Sequence, residues 1–188
     1  MEVRRSPQVC FAETFRGYRG TQNNAQFQSG LPVAYRGAIP GWQSDGEGAV
    51  HAVDLQAAPS TAPDWAVMIW QDNGITSSAI DANEKNVTYE VAYAVSPAVY
   101  AQAEQATQAM DGLRIEVLRG DGTVLQPAAA TPGAWRGAMQ FQSQSFTYLG
   151  DGSGAVRLRI GPSGEKNRGR FQGAIQKLVL RALPQAGR

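Results

Sequence analysis

The chain has 188 residues, 43% of them hydrophobic and 18% charged, so it carries enough apolar material for a core and too little charge for a disordered chain. Its formal net charge of +1 excludes a strong overall field that would attract nucleic acid or an anionic membrane surface. The 21 glycines and 10 prolines stand between short apolar runs, which predicts many turns and few long helices.

The first half of the chain contains three strand-like segments. Val9–Phe15 is a short apolar stretch, and Gly48–Leu55 alternates between apolar residues and smaller or polar ones. Trp65–Trp70 is continuously apolar, which predicts a strand covered on both faces. Asp72-Asn73-Gly74 follows and predicts a turn, because Asn-Gly favours positive φ. We therefore expect Trp65–Ile69 to pack in the core, which leaves the end of this strand as a candidate site.

The second half of the chain alternates more clearly. Thr88–Val95 has Tyr89, Val91 and Tyr93 on one face of a strand, and Leu113–Leu118 shows the same period of two. An Asp-Gly pair, Asp121-Gly122, then predicts a hairpin turn. Three more segments predict the remaining strands: Ser145–Leu149, Ala155–Ile160 and Ala174–Leu183.

Ala98–Met110 differs from these segments because it is rich in alanine and glutamine, which predicts a short helix or helical turn across one end of the fold. About eight or more strands with one such helix predict an all-β protein, a jelly-roll β-sandwich of two antiparallel sheets. No linker or fixed repeat interrupts the chain, so we expect a single domain over residues 1–188 with its core at about 9–183.

The order of these segments resembles the galactose-binding-domain-like jelly rolls, a group that includes many carbohydrate-binding modules. The resemblance covers about residues 11–183 and rests, in chain order, on Glu13-Thr14-Phe15, Ile39-Pro40-Gly41-Trp42, Tyr89–Tyr93, Asp111–Val117, the following turn with Trp135, Ser145–Tyr148, Ala155–Ile160 and Gly173–Leu180. It implies binding of a polysaccharide or another glycan. It also implies a structural calcium, with Glu13 as the ligand on the first strand, although the last strand has Gln176 where an Asp is usual.

Sugar-binding modules stack Trp or Tyr rings on sugars, while polar side chains bind the hydroxyls. The aromatic candidates are Trp42, Trp65, Trp70 and Trp135, with Tyr35, Tyr100 and Tyr148. Trp42 and Trp135 lie in Pro-Gly loops, which predicts that they are more exposed than Trp65. The alternative is that a sandwich of this size buries its large aromatics for packing alone. The predicted ligand-binding set is Trp42, His51, Trp70, Gln71, Asp72, Asn73 and Trp135.

His51 is the only histidine and Cys10 the only cysteine, which excludes a multi-His or Cys-based zinc site and an intrachain disulfide. His51 is either a partner for sugar hydroxyls or a structural residue on its strand. No G-x-S-x-G motif and no nucleotide-binding glycine motif occurs, so no catalytic residue is predicted. No apolar run approaches the roughly 18–20 residues that span a bilayer, so no membrane insertion is expected.

The predicted function is non-catalytic glycan binding, which requires no cofactor. One alternative is a structural or self-associating sandwich, suggested by the near-neutral charge and by loops such as Phe15–Ser29. A second alternative is a glycan-active enzyme on the same scaffold, with acidic turn residues as catalysts. No signal peptide is expected in the N-terminal residues as given. We expect an extracellular or cell-surface location if a signal has been removed, and a cytoplasmic one otherwise.

Overall fold

The structure is a computed structural model that describes residues 6–15, 21–22, 33–36, 39–44, 50–54, 65–70, 74–96, 113–129, 141–162 and 171–184. The described ranges contain these strands: β1 (Gln8–Glu13), β2 (Thr21–Gln22), β3 (Val33–Arg36), β4 (Trp42–Ser44), β5 (Val50–Asp54), β6 (Trp65–Trp70), β7 (Ile75–Ser77), β8 (Thr88–Ser96), β9 (Leu113–Arg119), β10 (Val124–Pro127), β11 (Gln142–Leu149), β12 (Val156–Pro162) and β13 (Phe171–Ala182). The helix predicted at Ala98–Met110 lies outside the described residues.

The strands form two antiparallel sheets. Sheet A has eight strands in the order β11-β8-β13-β6-β5-β3-β2, and its eighth strand, β1, pairs with β13. Sheet B has five strands in the order β10-β9-β12-β7-β4. Strand β13 is long enough to pair with β6 over its first half and with β1 over its second half. The predicted all-β jelly-roll sandwich is confirmed.

The core lies between the inner faces of the two sheets. In β8 the predicted alternation is confirmed, since Tyr89, Val91, Tyr93 and Val95 are buried in the core. Sheet B contributes Ile115, Val117, Leu158 and Ile160 to the core, and β13 of sheet A contributes Leu178 and Leu180. Burying an aliphatic side chain of this size contributes about 1.5–3 kcal/mol, so this layer stabilises the sandwich.

Sheet A is also covered at the centre of the face that points away from this core, which we call its outer face. In β6, Ala66 and Val67 are both inaccessible to solvent, so the prediction of a strand covered on both faces is confirmed there. Three residues of β8 and β13 on the outer face are buried as well: Ala94, Ser96 and Ala174. The centre of the outer face is therefore made of small side chains.

Two irregularities in β13 decide which of its residues reach which face. Lys177 has φ of 54°, and the pairing with β8 shifts by one residue between Gln176 and Val179. Because of this bulge, Leu178 reaches the core while Gln176 remains on the outer face, opposite Ala94. Glycine is required at position 173, where φ is +123° and a Cβ would lie 2.8 Å from the carbonyl oxygen of Ser96.

Candidate functional site

Trp42, which its Pro-Gly context predicted to be more exposed than Trp65, is itself buried. Its side chain is 7% exposed and packs between Phe11 and Phe15, with ring centroids 6.2 Å and 5.8 Å away. Its indole Nε1 donates to Oε2 of Glu13 at 3.1 Å. A ring held in this way has no free face for a sugar, so we no longer assign Trp42 to ligand binding.

Glu13 holds the loop around Trp42 in place. Its Oε1 accepts a hydrogen bond of 2.6 Å from the backbone N–H of Phe15, whose φ is 56°. With Oε2 bonded to Trp42, both carboxylate oxygens accept bonds from N–H donors. Bonds to a carboxylate are stronger than neutral ones, and here they stabilise the unfavourable φ of Phe15.

Glu13 and Gln176 lie on different faces of sheet A, and the structural calcium that the resemblance implies stays a prediction. Glu13 pairs with Leu178, a core residue, whereas Gln176 lies on the opposite face of sheet A because of the bulge at Lys177. Within the described ranges, no group of three or more His, Cys, Asp or Glu side chains could hold a metal ion. The carboxylate of Glu13 acts as a hydrogen-bond acceptor for the core edge.

His51 and Trp70 occupy strand positions on the outer face of sheet A. His51 pairs with Met68, two residues before Trp70 on β6. Directly paired residues share a face and strand positions alternate, so positions 51, 68 and 70 lie on one face, opposite to the core residue Val67. Diagonal neighbours such as positions 51 and 70 are about 7–8 Å apart at their Cα atoms.

A row of paired residues crosses this face through five neighbouring strands. Each residue is the cross-strand partner of the next: Arg36, His51, Met68, Ala174 and Ser96. The row joins β3 to β8, and Trp70 pairs with Phe171 beside it. Sheet pairing therefore brings residues that are distant in sequence to one surface.

Gln176 is a polar residue on the same face. In the sequence it differs from the resembled domains, which usually have an Asp at this position of the last strand. It is 2% exposed, and its Oε1 has no hydrogen-bond partner in the described part of the chain. Alanines on both neighbouring strands explain this. Gln176 pairs with Ala94 of β8. On the other side Ile175 pairs with Val67 of β6, so Gln176 lies opposite Ala66. A buried amide oxygen without a donor costs about 1–3 kcal/mol. A glutamine inside an otherwise apolar closing strand was the available sequence signal.

The remaining predicted site residues fall outside the described ranges. Gln71, Asp72 and Asn73 follow directly after β6, and Trp135 lies between residues 129 and 141. Their assignment to ligand binding stays a prediction.

The aromatic candidate Tyr148 is a packing residue. It is buried and stacks on Tyr89 at a centroid distance of 5.1 Å. Its hydroxyl donates to the carbonyl oxygen of Ala82. Burial raises the pKa of Tyr148 well above its usual range, so the phenol keeps the proton that it donates. Tyr148 therefore contributes to the core and is not a stacking platform.

The acidic turn residues Asp121 and Asp151 serve turn geometry. Asp121 accepts from the N–H of Thr123 at 2.9 Å. Asp151 Oδ1 accepts from Asn83 Nδ2 and from Ser153 N, both at 2.9 Å, and its Oδ2 accepts from Arg119 Nε at 2.8 Å. These contacts fasten the turn after β11 to the loop before β8 and support no catalytic role for either residue.

The turn after β11 requires glycine at position 150. A Cβ there would overlap the carbonyl oxygen of Glu84, which belongs to a backbone that cannot swing away. Gly150→Ala should lower the free energy of unfolding by about 1–3 kcal/mol in chemical denaturation. Gly120→Ala is the matched control, because its added Cβ meets nothing closer than 3.8 Å, and it should change stability by less than about 0.5 kcal/mol. Equal stability of the two variants would contradict the close packing of this turn.

The same turn should respond to acid. Hydrogen bonds from Ser153, then Arg119 and Asn83, hold the pKa of Asp151 well below its ordinary value of 3.8. The folded form thus binds the proton less readily than the unfolded form, so this contribution to stability is full above about pH 4 and is lost as the pH falls further. In Asp151→Asn this part of the acid dependence should disappear, as measured by denaturation between neutral pH and about pH 2. An unchanged pH profile would show that Asp151 is not coupled to folding.

No family profile matches the chain, and no curated protein matches it. Solved structures do match. The CBM22-1 xylan-binding domain of Xyn10C from Paenibacillus barcinonensis superposes with a TM-score of 0.57 at 14% identity, over 96% of this chain and 98% of that domain. The chain therefore has the same β-sandwich fold as this xylan-binding domain. The CBM22-1–CBM22-2 tandem of the same protein gives a TM-score of 0.56 at 13% identity, over 100% of this chain and 48% of the tandem.

Part of an enzyme has the same β-sandwich fold. The arabinose-bound α-L-arabinofuranosidase MgGH51 superposes with a TM-score of 0.54 at 13% identity, over 86% of this chain and 26% of that protein. Identities of this size establish a common fold and carry no ligand across. In the described part of the chain, no helix is long and apolar enough to cross a membrane.

Proposed function

We propose that the chain is a non-catalytic glycan-binding module and that it binds a polysaccharide on the outer face of sheet A. One observation carries the proposal: the strand positions of His51 and Trp70, two predicted ligand residues, share this face with Gln176, whose Oε1 has no hydrogen-bond partner among the described residues. An aromatic residue, an imidazole and an amide acceptor are the groups that sugar recognition combines.

The chemistry of Gln176 favours a ligand rich in hydroxyl groups. Its Oε1 accepts no hydrogen bond from the described residues, and the alanines beside it have no side-chain donor. The centre of the outer face is covered, so a ligand would have to displace this cover to reach the oxygen. A sugar hydroxyl is a neutral donor that would then satisfy it without bringing a charge to a buried place.

Fold likeness supports the same conclusion. The superposed Paenibacillus domain is a xylan-binding domain, and the arabinofuranosidase was solved with arabinose bound. Two of the acidic turn residues, Asp121 and Asp151, are occupied by turn contacts, which favours binding over hydrolysis at these positions.

Affinity electrophoresis tests the proposal. The chain should be retarded in gels that contain at least one soluble polysaccharide of a panel including xylan and arabinan, and unretarded in gels without polysaccharide. Reducing sugar should not be released during long incubation with the retarding polymer. Absence of retardation on every polysaccharide would contradict glycan binding, and steady release of reducing sugar would favour the enzyme.

Substitution of Gln176 gives a sharper test, because it should lower the affinity for the glycan without lowering the stability of the fold. Gln176→Leu removes the unpaired oxygen and keeps the volume, so stability should stay equal or rise by up to about 1–2 kcal/mol. Affinity for the retarding polysaccharide should fall by about fivefold or more, since a hydrogen bond to the ligand is lost. Gln43→Leu, at an exposed position in sheet B, is the matched control and should leave the affinity unchanged. A Gln176→Leu variant that binds normally would remove Gln176 from the site.

A further inference from the structure

Strand β11 is unlike the other strands at the sheet edges. Among the described strands, the edges are formed by β1 with six residues and a register shift, β2 with two residues, β4 with three and β10 with four, while β11 has eight. Strand β10 also contains Pro127 and a register shift, whereas the eight pairs of β11 with β8 run without a shift. Proteins commonly protect edges by shortness, proline, bulges or charge, and β11 uses none of the first three.

The composition of β11 provides no protection by charge either. Its sequence is QSQSFTYL, with no charged residue. Ser143, Ser145, Thr147 and Leu149 are exposed, and Leu149 retains 58% of its accessible surface. An exposed, regular and uncharged edge of this length is a template for pairing with another strand.

The ladder between β11 and β8 shows which backbone groups face outward. At the end of the ladder, the N–H of Gly150 donates to the carbonyl oxygen of Val87 at 2.8 Å. Hydrogen-bonded pairs alternate in antiparallel ladders, so the even-numbered residues of β11 exchange bonds with β8. The N–H and C=O groups of Ser143, Ser145 and Thr147 therefore point away from sheet A.

We infer that β11 pairs with the β11 strand of a second copy of this chain. The two strands would run antiparallel across a twofold axis near Ser145 and join two eight-stranded sheets into one. Such an interface uses the same patch on both copies, and a charged edge would place like charges opposite each other. The uncharged β11 avoids that repulsion, and opposed Ser and Thr side chains can form cross-strand hydrogen bonds.

Sedimentation velocity on the purified chain tests this interface. An edge of this length is smaller than a standard protein interface, so dimers should appear between about 10 µM and about 1 mM. Ser145→Pro removes an outward N–H that β8 does not use and should shift the dissociation constant upward by at least tenfold. Ser145→Lys, which adds like charges on the two-fold axis, should have the same effect and covers the case in which the proline variant folds poorly. Gln43→Lys adds the same charge on β4 and should dimerise like the unmodified chain.

Hydrogen exchange identifies the contact directly. The amides of Ser143, Ser145 and Thr147 should become protected as the concentration rises. A chain that stays monomeric throughout this range would overturn the proposal. Dimers that persist in both Ser145 variants, or that leave these amides unprotected, would overturn it as well, because association would then use another surface.

Discussion

Trp42→Ala should lower the free energy of unfolding by about 3–5 kcal/mol, the cost of removing a large buried aromatic side chain. The variant loses the ring between Phe11 and Phe15 and leaves the Oε2 of Glu13 without its indole donor. Chemical denaturation followed by circular dichroism measures this change. Below the unfolding midpoint, glycan affinity per folded molecule should be unaltered.

Trp42→Phe separates the ring from its hydrogen bond. It keeps most of the packing but loses the donor to Glu13, so it should cost about 1–3 kcal/mol, less than the alanine variant. If Trp42→Ala were as stable as the unmodified chain and had lost its glycan affinity, the side chain would be a ligand platform and its burial would be wrong.

Trp70→Ala should weaken binding of the retarding polysaccharide by about thirtyfold or more, because a tryptophan in a binding surface carries much of its energy. Trp65→Ala is the matched control. Both residues lie on β6, and alternation puts position 65 on the same face as the core residue Val67 and position 70 on the outer face. Titration calorimetry should show lost affinity for Trp70→Ala and near-normal affinity for folded Trp65→Ala. The reverse result would place the site elsewhere.

The long strands could be predicted from the sequence because their signal is local. Trp65–Trp70 matches β6 residue for residue, and the period of two in Thr88–Val95 matches the burial of β8. Strands β2, β3, β4 and β7 have only two to four residues each, too few to show a period, and they were not predicted. Their existence depends on pairing partners elsewhere in the chain.

The site was less predictable because its determinants are non-local. A loop position after Pro-Gly predicts exposure, yet Trp42 is drawn inward by Glu13, which lies 29 residues earlier. The outer-face position of Gln176 depends on the bulge at Lys177 and on the register with β8. The residue types of His51 and Trp70 predict ligand binding, but only the pairing of β5 with β6 gives the two positions a common face.

If a glycan binds the outer face of sheet A, the amide chemical shifts of residues on this face should change when the glycan is added. The isotope-labelled chain is titrated with an oligosaccharide of the polysaccharide that retards it. The amide signals of sheet B should stay unchanged, and the largest shifts should fall on His51, Met68, Ala94, Ser96, Ala174 and Gln176. Shifts confined to sheet B, or to the loop around Trp42, would contradict binding on this face.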